Sequence, residues 1–287
     1  MGFLDHIAAC NRHDAGRFIG FEVAGQTVGR VNRQFARQLS AWPDVFQVTD
    51  RAVTFQAIAS DVESRTETLA RVLKALVDQQ VLLPFHGEQY VVQAEGLSEP
   101  LLLVDRAMAP CFGIRAFGQH VNAIVRSAEG LKMWISRRAD DRLHYPGQLD
   151  NLAAGGLPYG ISLQDNLAKE CWEEAGIPAE LASQAVSVGA VSYHMDTQIG
   201  FKSDTLFCYD LELPEDFNPV CTDGEVQDFY LLPVEEVMAR VKSGDDFKLN
   251  CNLVIIDFLI RYGFIGPDDP DYMKMLTGLH PVLPPLE

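Results

Sequence analysis

Glu170, Glu173 and Glu174 stand at i, i+3 and i+4, the spacing that puts three carboxylates on one face of a helix. Like charges held that close repel one another, and a helix avoids the arrangement unless a cation neutralises it. The oxygen-only donor set is the one that a hard divalent ion such as Mg²⁺ or Mn²⁺ prefers. The spacing alone also fits a surface helix with solvated glutamates, so the surrounding residues must decide.

Those residues define a helix with a start and a stop. Ser162 is placed to cap it, with Asp165 three residues on, and Gly176 followed by Pro178 closes it. Leu167, Ala168, Cys171, Trp172 and Ala175 fall on the side away from the carboxylates. The expectation is a buried apolar stripe and a charged face turned to a cleft. Ahead of the helix, Gly155, Gly156 and Gly160 make a loop that backbone or ligand can approach closely.

The segment from Gly155 to Ile177 resembles the Nudix box, in which a glycine, a glutamate, an Arg-Glu pair, a Glu-Glu pair and a closing glycine recur at fixed spacing. Counted from Gly155, Lys169-Glu170, Cys171, Glu173, Glu174, Gly176 and Ile177 fall in register. Two positions depart: Lys169 stands for the family arginine, keeping charge but losing the fork geometry, and Ile161 stands for the loop glutamate. Trp134 to Arg138, Tyr145 to Asn151, Phe112 to Arg115, His120 to Asn122, Asp223 to Val226 and Lys248 to Asn252 are similar to one Nudix branch. That branch, often labelled thiamine pyrophosphokinase-related, carries an added N-terminal (DUF4743-type) domain.

The resemblance implies an α+β protein, with a Nudix α/β/α sandwich on a mixed sheet preceded by a small α+β unit. It implies a pyrophosphohydrolase using Mg²⁺ (or Mn²⁺) to cleave a small organic diphosphate to the monophosphate. A damaged thiamine diphosphate analogue and an oxidised nucleoside diphosphate are the two substrate expectations; a non-catalytic ligand-binding or regulatory protein on the same fold is the alternative, supported by Ile161. Metal coordination is assigned to Glu170, Glu173, Glu174 and the Gly155 backbone, and water activation to Glu173, Glu174 or Glu225. Substrate contacts are assigned to Arg137, Arg138, Tyr159, His194 and Asn122.

Composition bounds the rest. At 287 residues, 47% hydrophobic and 22% charged, the chain has the make-up of an ordinary globule, with length for one large or two modest domains. Its net charge of −17 repels nucleic acid and also repels anionic substrates at long range, so local cations are required. Six cysteines without a Cys-x-x-Cys pair read as buried free thiols rather than a zinc site. With no uninterrupted apolar run at the N-terminus or long enough to span a bilayer, the expectation is a cytoplasmic protein without membrane partners. A homodimer is left open.

Along the chain the expected divisions are residues 1–105, 106–265 and 266–287, the last an extended, proline-rich tail. A hairpin across Ala24-Gly25, a helix over 64–80 and short strands at 81–85 and 90–92 are predicted for the first unit. For the second, strands are predicted at 119–126, 131–137, 186–193, 203–213 and 226–232, and helices at 163–175, 233–242 and 250–262.

Overall fold

A computed structural model describes residues 2–56, 61–94, 96 and 99–283. Helix α1 (Phe3–Cys10) buries Phe3, His6, Ile7 and Cys10 on one stripe. Strands β1 (Phe18–Val23) and β2 (Gln26–Asn32) pair antiparallel as the expected hairpin; its turn residues Ala24 and Gly25 have φ of 51° and 76°. After α2 (Arg33–Leu39), β3 (Phe46–Val48) and β4 (Ala52–Phe55) complete a sheet of order β2-β1-β4-β3. The apolar stripe of α3 (Val62–Asp78), Leu69, Val72, Leu73 and Leu76, shares one core with that sheet. Strands β5 (Gln89–Val92) and β6 (Leu102–Asp105) form a separate antiparallel ribbon.

The predicted strand at 81–85 does not form: Val81, Leu83 and Phe85 are exposed, and no strand among the described residues pairs with them. Pro84 removes one donor, and apolar residues without a sheet to cover do not make a strand.

The short helix α4 (Ala109–Phe112) ends at Gly113, whose φ of 56° and close contact with the Arg30 backbone admit only glycine. Beyond it come β7 (Arg115–Ser127), β8 (Gly130–Arg138), β9 (Leu149–Asn151), β10 (Ala153–Gly156), α5 (Leu163–Ala175) and α6 (Ala179–Ala182). They are followed by β11 (Val186–Asp196), β12 (Phe201–Glu212), β13 (Val226–Pro233), α7 (Val234–Ser243), α8 (Cys251–Arg261) and α9 (Tyr272–Gly278). The sheet runs β11-β12-β7-β8-β13, with β9 added to β8 and β10 to β7; β12 and β7 are parallel and the other pairs antiparallel.

Strand β7 is covered on both faces and divides its side chains accordingly. Val121, Ala123 and Val125 pack with Leu167, Cys171 and Ala175 of α5, while Ile124 packs with α8. This is the expected mixed-sheet α/β/α sandwich, an α+β arrangement. Helix α1 also joins the core of α8 and α9, through Phe3, Ile7 and Cys10. The predicted extended tail contains α9 instead, because Met275 and Leu279 find cover in that core; residues 284–287 lie outside the described part. Five of the six cysteines are buried, Cys221 is half-buried, and all six are free.

Candidate active site

Helix α5 forms as its ends dictate. Ser162 accepts the Asp165 backbone N–H at 3.1 Å and donates to the Asp165 carboxylate at 2.6 Å, and Gly176 closes the helix at φ 63°. Its orientation differs from the expectation in one respect. Trp172 is 54% exposed, whereas Glu174 is only 6% exposed. The sheet covers the arc through Leu167, Cys171, Glu174 and Ala175, so one carboxylate of the triplet is carried inside and the tryptophan is left out.

The three glutamates therefore separate into an inner pair and an outer member. Glu174 accepts the Ala154 N–H of β10 at 2.7 Å. Glu170 lies over Gly155: a Cβ there would sit 2.1 Å from the Glu170 carboxyl carbon, so any other residue would displace the carboxylate from this position. Glu173 turns to Lys169, which bridges it at 3.0 Å and Glu170 at 3.2 Å. Lys169 thus offsets part of the triplet's charge.

Burial raises the pKa of Glu174 well above the ordinary carboxylate range, and the nearby charges of Asp150 and Glu170 add to the rise. Glu170 is also raised, first by burial, with Lys169 and Arg106 pulling the other way. Two partly dehydrated carboxylate groups beside a glycine backbone, with negative charge in excess, form a hard-oxygen donor set that fits a divalent cation.

A second acidic site lies under β9. Asp150 receives Arg138 at 3.1 Å, Lys248 at 2.9 Å and the Cys251 thiol at 2.5 Å, and also accepts the Asn151 N–H. Burial alone would raise its pKa, but Lys248, His120 and Arg138 overcome it and hold the carboxyl down at about 2. His120, hydrogen-bonded to Asn151, is kept neutral by burial and by Lys248, its pKa pushed down to about 4. Among the described residues, His120, Asp150 and Cys251 are the set of three ligand types whose donor atoms all lie within 4.8 Å of one another. Two cations already balance the aspartate, and burial holds the thiol protonated with a pKa well above its usual range, so this cluster opposes a metal ion.

The remaining expected site residues disperse. Arg138 is spent on Asp150 and the His144 carbonyl. Arg137 pairs with Asp140 and Asp228 and lines a separate cleft of about 640 Å³ with Tyr230, Arg240 and Asp246, which none of the three glutamates lines. Asn122 is fully buried between Asp210 and Asn151. His194 packs against Phe201 and bonds Ser203, its pKa pushed down to about 4, chiefly by burial. These three are framework contacts rather than groups brought to the glutamates: Arg138, Asn122 and His194 each face neighbours that satisfy them. Glu225 pairs with Arg142 at 2.6 Å. Tyr159 is exposed on the glycine loop, its N–H bonded to the Gln89 carbonyl of β5.

That last bond shows what the sequence reading missed. Beside the glycine loop stand Tyr90 and Arg106, from the ribbon β5–β6 and the turn after it. Arg106 lies over the Tyr90 ring and pairs with Glu88 at 2.7 Å. Burial works against its charge, but Tyr90, Glu88 and Glu170 together raise its pKa. Arg106 sits in no pattern that marks it, and only the fold carries it across to the box; the one available hint was that so acidic a chain needs local cations.

The NUDIX domain model matches residues 116–251, and a model described as a domain of unknown function (DUF4743) matches residues 2–116. Nudix hydrolase 20, chloroplastic, of Arabidopsis thaliana is 42% identical over 97% of this chain and 77% of its own length. The chain belongs to the Nudix hydrolases. Nudix hydrolase 24, chloroplastic, of the same plant is 41% identical with the same coverage. Among solved structures, the NUDIX domain of Shewanella oneidensis NrtR, complexed with ADP ribose, overlaps 53% of this chain and 90% of its own at 13% identity and a TM-score of 0.42. A score that low carries no weight of its own, and the fold assignment stands on the family and the sheet topology.

Membership makes this protein an enzyme of the Nudix hydrolase type, acting on small molecules in a family that generally works with divalent metal ions. It also corrects one expectation: both plant relatives are chloroplastic by name, so the cytoplasmic assignment does not stand. No helix among the described residues is long and apolar enough to cross a membrane.

Proposed function

We propose that this Nudix hydrolase cleaves the anhydride of a small organic diphosphate, releasing a monophosphate, with Mg²⁺ or Mn²⁺ held by Glu170 and Glu174 at the Gly155 strand. The observation that carries this reading is the packing of Glu170 on Gly155 beside the buried Glu174. The bound ion would offset substrate charge and lower the pKa of a water. Glu173, the solvent-facing member, accepts the proton of the attacking water, with Lys169 holding its carboxylate in place. Tyr159, exposed on the glycine loop, offers an aromatic face to the organic group of the substrate.

Damaged thiamine diphosphate analogues and nucleoside diphosphate derivatives both present this anhydride, and ADP ribose, the ligand of the NrtR domain, belongs to the second class. A panel of such compounds, assayed for monophosphate release with Mg²⁺ and by mass analysis in ¹⁸O-water, tests the reading. Incorporation of one ¹⁸O into a single product supports it. Tight binding of a panel member without product at high protein concentration would replace it with the ligand-sensor alternative that Ile161 favours.

A further inference from the structure

Gly155 and Gly156 are successive residues of β10, so their missing side chains would point to opposite faces of the strand. Glu170 fills the space on one face. On the other, a Cβ at Gly156 would lie 2.0 Å from the Tyr90 hydroxyl and 3.1 Å from the Arg106 guanidinium carbon. A ribbon one backbone thick therefore separates the metal-ligating carboxylate from a cation that the N-terminal unit delivers.

That cation is held in position. Asp105 caps the turn at Arg106 by accepting the N–H groups of His86, Gly87 and Ala107. The Arg106 N–H bonds the Glu88 carbonyl at 2.8 Å, and its guanidinium meets the Glu88 carboxylate. Its side chain is 37% exposed, and a guanidinium carries more N–H donors than its Nη1 bond to Glu88 uses. In a chain of net charge −17, Arg106 is a cation placed directly against the glycine strand.

We propose that Arg106, backed by the Tyr90 ring, binds the anionic diphosphate of the substrate, which makes the N-terminal unit part of the active site. A planar guanidinium donates two parallel bonds to phosphate oxygens, and an anion that reaches it draws it partly away from Glu88. The inference rests on the reading of Glu170 and Glu174 as the metal site.

The test uses the full chain with α,β-methylene-ADP, a diphosphate that cannot be hydrolysed at that bridge. Calorimetric titration of Arg106→Gln should show binding weaker by about tenfold or more, with Arg106→Lys between it and the parent, while Mn²⁺ binding followed by electron paramagnetic resonance is retained. In turnover, KM should rise more than kcat falls. Arginine footprinting with phenylglyoxal on the unmutated protein supplies a second measurement that needs no variant to fold: the Arg106 peptide should be protected by α,β-methylene-ADP. Undiminished affinity in Arg106→Gln, or modification of Arg106 at the same rate with and without the analogue, overturns the inference. Protection of Arg106 in a protein that hydrolyses nothing sinks the hydrolase reading and leaves this one standing. Hydrolysis with normal kinetics in Arg106→Gln does the reverse.

Discussion

Asp150 and Glu174 are both buried, lie within electrostatic reach of each other, and are shifted in opposite directions. Asp150 is surrounded by the protein's own cations, Arg138 and Lys248, and its carboxyl is held at about 2. Glu174 has one backbone N–H and carboxylate neighbours, and its pKa rises well above the usual range, chiefly through burial. The first is a closed site in which charge is balanced from within the chain. The second has no ion pair of its own among the described residues, and on the reading proposed above a cation from solution balances it. Burial of an acid is thus not by itself a sign of function; what surrounds it decides.

The largest effect expected from this contrast is on turnover. Glu174→Gln removes charge at nearly constant shape, so hydrolysis should fall by orders of magnitude while circular dichroism and the unfolding midpoint show an intact fold. Normal turnover in that variant would break the contrast at once. Lys248→Met should act on the other side: it leaves Asp150 short of one buried cation, and stability should drop by about 3–5 kcal/mol in denaturant titration.

Opposite pH dependences sharpen the comparison. A carboxyl whose folded pKa is depressed contributes stability above its unfolded pKa that is lost as pH falls, so the cost of Asp150→Asn should shrink from about pH 4 down toward 2. For Glu174 the sign reverses. Its raised folded pKa means that stability is lost as pH climbs above about 4.5, so Glu174→Gln, without metal, should gain on the parent protein as pH rises. His120 adds a separate acid-side loss: it must stay neutral, so stability falls as pH drops from about 6.5 toward 4, and His120→Gln should flatten that part of the curve. Unfolding midpoints across pH for the three variants check all three signs.

A smaller effect is expected at the rim. Trp172 is exposed on α5, and Trp172→Gln should change stability by no more than about 0.5 kcal/mol. A larger loss would mean that the outer face of α5 is covered in solution.

These contrasts also mark where sequence reading ends. Helix α5, its cap at Ser162 and its stop at Gly176 follow from local chemistry, and the long strands of the central sheet follow from alternation and length. The glycine at 155 was readable as a place of close approach, although not that Glu170 itself fills the space. Val81 to Phe85 misled because a strand needs a partner that no local pattern reveals. Trp172 misled because the sheet, not hydrophobicity, set the rotation of the helix. Arg138 and Asn122 looked like ligand contacts and proved to be partners of Asp150 and Asp210, buried charges that the sequence does not pair. Tyr90 and Arg106 were invisible for the same reason: their neighbour Gly156 lies 66 and 50 residues further along the chain.

Manganese binding followed by electron paramagnetic resonance on four proteins tests the central claim most directly: the parent chain, Glu170→Gln, Glu174→Gln and Cys251→Ala. The parent and Cys251→Ala should bind the ion alike, and both glutamine variants should lose it. Retained manganese in Glu174→Gln, or its loss in Cys251→Ala alone, would contradict that claim and move the metal to the cluster around Asp150.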